Sequence, residues 1–373
     1  MFPKGRRPVH GAVKKKRMKI LLCPDSFKGA LSAPEAAVAL AEGWRRVFPE
    51  AELVCLPIAD GGEGTLNVLL SATGGQRIFT QVTGPLGETV EASWGLLPDG
   101  TAVVELAQAA GLSLVPEDKR DPKVTTTRGV GELLLQATHT ANKLLITLGG
   151  SATNDGGAGI LEAFGYQQQL NHAVRIACDV DNPLTGPRGA SAIFGPQKGA
   201  TPEDVAVLDA RLRKFRDERG LPEQPGDGAA GGAAYGLRWL FPGAKLVPGI
   251  ELVLDAIEFE RHLEGATLVL TGEGRLDSQT LGGKAIVGVA RRAAAKGVPV
   301  AAIVGSVEER LTDAVLTAAG ISAVLPLAPG PCTLAESMAN TGSWLSDAAE
   351  RAAHWYKLGR SAQALGRSAQ AVE

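Results

Sequence analysis

The residues of this chain that could do chemistry stand where apolar runs stop. The apolar run Leu144–Leu148 breaks into Gly149-Gly150-Ser151, followed by Thr153, Asn154 and Asp155 and then by Gly156-Gly157. Glycines let the backbone turn sharply and let a ligand approach closely. Amide N–H groups in such a loop, beside a helix N-terminus, suit an anion, phosphate above all. It is not a Walker loop, because no Lys-Ser or Lys-Thr pair follows at the required spacing. Carboxylates and cations recur at the other run ends. Asp25, Ser26 and Lys28 follow Lys19–Cys23, and Asp60 and Glu63 follow Leu53–Ile58. Glu273, Arg275 and Asp277 follow Thr267–Leu270, Lys198 sits in the turn Phe194–Gly199, and Lys284 opens a later helix.

Phosphoryl transfer needs this combination. Cations and Mg²⁺ offset phosphate charge, and a carboxylate takes the proton of the attacking hydroxyl. The five histidines are scattered without a ligand spacing, so a carboxylate is the expected base. Asp277 is assigned that role because Arg275, two residues away, would hold it ionised. Arg275 would clamp a carboxylate or phosphate with its planar fork. Lys28 would meet the transferred group or the substrate carboxylate, completing a catalytic set of Asp277, Lys28 and Arg275. The nucleotide falls to Gly149, Gly150, Ser151, Thr153, Asn154, Asp155 and Lys284. The acceptor falls to Asp25, Ser26, Lys198 and Glu273. Asp60 and Glu63 precede a helix, so they either cap it or hold Mg²⁺ with substrate phosphates, and they are taken as the metal pair. Taken singly, any of these residues reads equally as a cap or a surface ion pair.

The elements that must position them alternate as β-α units. Lys19–Cys23 is a strand. The stretch Ser32-Ala33-Pro34-Glu35 is a capping box opening a helix that Pro49 stops. Leu53–Ile58 is a second strand, with a helix at Leu66–Ala72. Gly84–Gly100 has hairpin character, Ala102–Leu106 is a strand, and a helix lies near Glu132–Thr138. Val174–Cys178 is a further buried strand, and Asp204–Arg219 a charged surface helix. Thr267–Leu270, Val298–Val304 and Ile321–Leu327 complete the strands, and Thr333 to Glu336 is a second capping box starting the last helix. Repeated placement of acids and glycines after strands fits an open parallel sheet, which binds ligands at its carboxyl edge.

The 373 residues, 45% hydrophobic, suit two domains or one domain with a large insertion, and many of the 47 glycines follow apolar runs directly. A net charge of −2 argues against a nucleic-acid partner, and no apolar stretch is long enough to span a membrane. Four well-separated cysteines without a C-x-x-C pair suit a reduced, cytoplasmic setting. Residues 1–17 form a basic extension without an apolar core, so they are no secretory signal. Residues 358–373 form a tail that repeats LGRSAQA, read as a fraying helix end or a remnant of cloning.

The motifs together closely resemble the bacterial glycerate kinase family of glyoxylate and glucarate degradation. They include PDSFKG from Pro24, ADGGEGT from Ala59, VTGPLGE from Val82, RDPKVTTTRGVGEL from Arg120 and GGSATNDGGAG from Gly149. They continue through ACDVDNPL from Ala177, IFGPQKGA from Ile193, GAAGG from Gly228 and TGEGRLDSQTLGGK from Thr271. The resemblance implies ATP-dependent phosphorylation of D-glycerate with Mg²⁺, at the 2-hydroxyl in this branch. It implies two α/β domains, one Rossmann- or flavodoxin-like and built from both chain ends (18–62 and 285–357), the other inserted between them (63–284), with the site in the cleft. A kinase of a related hydroxy acid, a glycerate 3-kinase and a non-catalytic glycerate-binding homologue stay open, as does a homodimer. The chain departs from the family between Gly165 and Val174, where Tyr166–Ala173 replaces a few tens of residues. A dehydrogenase is disfavoured, because no G-x-G-x-x-G follows the first strand.

Overall fold

The computed structural model describes residues 18–166, 169–277 and 285–370. Lys284 and the basic extension 1–17 lie outside the described residues. Two sheets carry the molecule. The first contains β1 (Lys19–Pro24), β2 (Glu52–Cys55), β9 (Leu268–Leu276), β10 (Val300–Val307) and β11 (Ala323–Pro326), all parallel, in the order β2-β1-β9-β10-β11. Counted within the sheet that order is 2-1-3-4-5, the flavodoxin-like arrangement, whose ligand crevice opens between its first and third strands. Here those strands are β1 and β9. The second sheet runs in sequence order through β3 (Gln76–Thr83), β4 (Thr89–Leu96), β5 (Thr101–Glu105), β6 (Lys143–Thr147), β7 (Ala173–Ala177) and β8 (Lys245–Val247). Its first three strands pair antiparallel and its last four parallel.

Alternation along the strands sorts side chains into three cores. Ile20 and Leu22 of β1 face the helices Ala33–Val47 and Thr341–Gln370, where Trp44, Leu345 and Ala349 are buried. Leu21 and Cys23 face the opposite way, into a core shared with Val103 and Leu145 of the second sheet. The helices Thr65–Thr73, Gly249–Ala256 and Ala285–Ala294 fill that middle layer. Ala102, Val104, Leu144 and Ile146 point outward, onto the helices Arg128–Thr140, Ala158–Ala163 and Ala233–Leu240. The result is five layers, helix and sheet alternating, with the central strands of both sheets buried on both faces.

Several expected elements differ in extent. β9 does not break at Thr271 but runs to Leu276, because Glu273, Arg275 and Leu276 stay in register with Val304, Ser306 and Val307 of β10. Gly272 and Gly274 permit this, since a Cβ on Gly272 would stand 2.3 Å from the Ile303 carbonyl oxygen. The division of the chain at residue 285 counts β9 with the middle segment, whereas its hydrogen-bonded neighbours are β1 and β10 of the first sheet. The Thr333 capping box starts only the short helix Leu334–Ala339, and the long final helix begins anew at Thr341 and continues to Gln370.

Candidate active site

The carboxyl ends of strands from both sheets open onto one cleft of about 930 Å³. β1 delivers Asp25, Ser26 and Lys28. Their loop is pinned by paired Phe27 and Leu31 backbone bonds of 2.9 Å, with the Phe27 ring buried beneath. The Asp25 N–H donates to the Gly272 carbonyl at 2.8 Å, so this loop lies against β9 at the crevice between the sheet's first and third strands. The segment after β2 brings Asp60, Gly61, Gly62 and Glu63, and the Asp60 carboxylate accepts from the Gly62 N–H at 3.2 Å. From the second sheet, β6 delivers Gly149, Gly150 and Ser151, and β7 delivers Cys178, Asp179 and Val180.

Close backbone approach holds these loops together. A Cβ on Gly149 would lie 2.5 Å from the Gly62 Cα, and one on Gly249 would lie 1.9 Å from the Asp60 carbonyl oxygen. The Gly249 N–H in turn donates to the Asp179 carboxylate at 2.9 Å.

Two charged groups set the electrostatics. Burial pushes the Asp25 carboxyl up to about 7, reinforced by the Asp60 charge and opposed by the Ser26 N–H and by Lys28. Lys198 is 2% exposed, and its ammonium donates to the Ser151 hydroxyl and the Thr153 carbonyl, both at 2.7 Å. Burial brings the Lys198 amine down to about 7, with Asp155 pulling the other way. Asp25 therefore holds its proton up toward neutral pH, and the Lys198 amine lies desolvated in the cleft wall behind Ser151.

Of the sequence-derived candidates, Asp25, Ser26, Lys28, Asp60, Glu63, Gly149, Gly150, Ser151 and Lys198 line the cleft together. Thr153 and Asn154 are buried behind the loop, Asn154 donating to the Ser191 hydroxyl at 2.9 Å. Asp155 accepts from the Thr127 N–H and hydroxyl and from the Gly157 and Gly159 N–H groups. Its carboxylate thus occupies the very helix terminus that was expected to receive phosphate. Glu273, Arg275 and Asp277 belong to β9 or its end and are not among the described residues lining the cleft. They adjoin it, because Gly274 packs against the Phe27–Lys28 backbone. Arg275 and Asp277 approach to 3.8 Å, with the Arg275 side chain 69% exposed.

Asp179, Gln197 and Leu112 also line the cleft. The signal for Asp179 was present in the Asp179-Val180-Asp181 run after a strand. Leu112 gave none, since it arrives through a turn whose N–H bonds the Gly150 carbonyl at 2.7 Å.

No metal-binding cluster of three or more acids, histidines or cysteines forms among the described residues. The cleft's acids still fit Mg²⁺, which is commonly held by one or two carboxylates together with substrate phosphates.

Fold and cleft thus define an α/β protein whose converging strand ends gather charged side chains around one cleft. The profile of the Glycerate kinase family matches residues 20–173 and 167–357. The chain is 45% identical over 380 aligned positions to a glycerate kinase of Bacillus subtilis (strain 168), covering 92% of this chain and 99% of that one. It is 45% identical over 359 positions to a glycerate 2-kinase of Escherichia coli (strain K12), covering 86% and 93%. A solved structure from Salmonella typhimurium LT2, described as a glycerate kinase 2, superposes with a TM-score of 0.80 at 40% identity, covering 92% of this chain and all of that one. The chain belongs to the glycerate kinase family, and it is a kinase. The two stretches matched by the family profile meet at 167–173, the short bridge noted in the sequence. No helix among the described residues is long and apolar enough to cross a membrane.

Proposed function

We propose that this kinase transfers the terminal phosphoryl group of ATP to the 2-hydroxyl of D-glycerate in the cleft between the two sheets. The observation that carries the reading is the convergence there of Asp25, Asp60, Lys198 and the Gly149-Gly150 turn. Asp25 is the base for the attacking hydroxyl. Its raised proton affinity matches a group that must take a proton near neutral pH. Lys198 pairs with the acceptor's carboxylate, and Lys28 with the phosphoryl group in flight. Asp60 and Glu63 would hold Mg²⁺ against the nucleotide phosphates, with Asp179 beside them. When bound, the ion offsets phosphate charge and fixes the phosphates for in-line displacement. Gly149 and Gly150 leave room for the triphosphate to lie against backbone rather than side chains. Arg275 and Asp277 guard the rim next to the Lys28 loop, and Glu273 supports it.

The test is turnover of D-glycerate with ATP and Mg²⁺, with the product identified by phosphorus NMR. The expected product is 2-phosphoglycerate. Formation of 3-phosphoglycerate would move the attacking oxygen, and absence of any phosphorylated product would remove the reading. A panel of small hydroxy acids defines how narrowly Lys198 and its neighbours select the acceptor.

A further inference from the structure

Glu105 ends β5 of the second sheet, yet its carboxylate serves a loop that springs from the first. It is 1% exposed. One oxygen accepts the Gly64 N–H at 2.5 Å. Gly64 precedes the helix Thr65–Thr73 with φ of 93° and has no side chain to cap it, so the cap comes from Glu105. The tether continues toward the cleft. The Thr65 hydroxyl donates to the Gly62 carbonyl at 2.7 Å, and the Gly62 N–H donates to Asp60.

On its other side Glu105 is itself held. Its second oxygen accepts from the Gln108 amide at 3.3 Å, and the Gln108 oxygen accepts from the Ser93 hydroxyl at 3.1 Å. Ser93 accepts from Arg77 at 2.9 Å, and Arg77 also bonds Asn67 on the helix that Glu105 caps. The circuit therefore closes on itself. It fixes the start of one helix, and the acidic loop before it, from strands of the opposite sheet.

We infer that Glu105 is a positioning residue of the kinase, holding residues 60–64 so that Asp60 and Glu63 face the nucleotide phosphates and their Mg²⁺. The inference rests on the proposed reading of the cleft. Carboxylates that orient metal-holding groups without touching the metal commonly matter as much as this, since their loss costs about 10- to 100-fold in metal affinity or activity. Glu105→Ala should raise the Mg²⁺ concentration for half-maximal ATP turnover by about 10-fold or more, and should remove hydrogen-exchange protection from residues 61–66. Glu105→Gln keeps an acceptor oxygen for the Gly64 N–H and should restore both measurements to near those of the unmodified enzyme.

If Glu105→Ala fails to fold, Gln108→Leu frees the carboxylate on its far side and should shift both measurements in the same direction by less. A folded Glu105→Ala enzyme with normal Mg²⁺ dependence overturns the inference, even if its melting temperature falls. So does unchanged exchange at 61–66. The exchange measurement needs no substrate, so it separates failure of the tether from failure of the glycerate reading.

Discussion

Asp25 and Asp277 both follow strands of the first sheet, yet their surroundings differ. Asp25 lies within the cleft against Asp60, and its proton affinity is raised to about 7 by burial. Asp277 lies at the end of β9 beside an exposed Arg275. A base must reach the hydroxyl it deprotonates and must hold a proton near working pH, and the cleft position and raised proton affinity of Asp25 are what favour it over Asp277 in the proposed role. Asp25→Asn should lower kcat by about 10²- to 10⁴-fold while leaving the circular dichroism spectrum unchanged. Asp277→Asn is the counter-test. A loss of that size at Asp277, with Asp25→Asn near normal, would transfer the role to Asp277.

At the scale of elements, the loops work because glycines let two backbones touch. Gly149 stands so close to Gly62 that any added carbon must push apart the loops bearing Asp60 and Ser151. Gly149→Ala should therefore cost about 1–3 kcal/mol of stability and lower kcat/KM through displaced phosphates. Gly243→Ala, whose added carbon meets nothing within 4 Å, is the matched control and should change neither. Normal kinetics in Gly149→Ala would show that the two loops tolerate separation. The same elements show what the sequence could carry. Strand ends, capping boxes at Ser32 and Thr333, and the acidic and glycine turns are local signals, and they led to the cleft-lining Asp25, Asp60, Gly149 and Lys198. Pairing is not local. Nothing within residues 271–276 announces that β10 would hold them in a strand, so Glu273 and Arg275 read as loop residues. Asp155 reads as a ligand for phosphate until Thr127, 28 residues away, is seen to donate to it. Glu105 reads as the end of a strand, because its partner Gly64 is distant in the chain and belongs to the other sheet's connection.

Across the whole molecule, two sheets share one middle core, and the cleft stores buried ionisable groups whose effects on stability oppose one another. Asp25 and Glu105 are each raised to about 7, from ordinary values of 3.8 and 4.5. Between those values and 7 the folded chain keeps protons that the unfolded chain releases, so stability falls as pH rises. Lys198 is lowered to about 7 from 10.5. Above 7 the unfolded chain binds a proton that the folded chain does not, so stability rises again. His262, held low by burial and by Lys19 and Arg261, softens the acidic limb. Above about 9 the thiol of Cys23, kept protonated by burial, works against the alkaline limb. Ligand-free protein should therefore be least stable near pH 7, gaining roughly 1–3 kcal/mol toward pH 5 once Asp25's opening to the cleft is allowed for. Thermal denaturation from pH 5 to 9 measures this directly. Asp25→Asn should make the acidic limb shallower, leaving Glu105's share, and leave the alkaline one, whereas Lys198→Met should flatten the alkaline limb and leave the acidic one. A melting temperature that climbs steadily through pH 7, or a minimum that survives both substitutions unchanged, would mean that the charges lining the cleft are solvated rather than held in the dry setting on which their proposed chemistry depends.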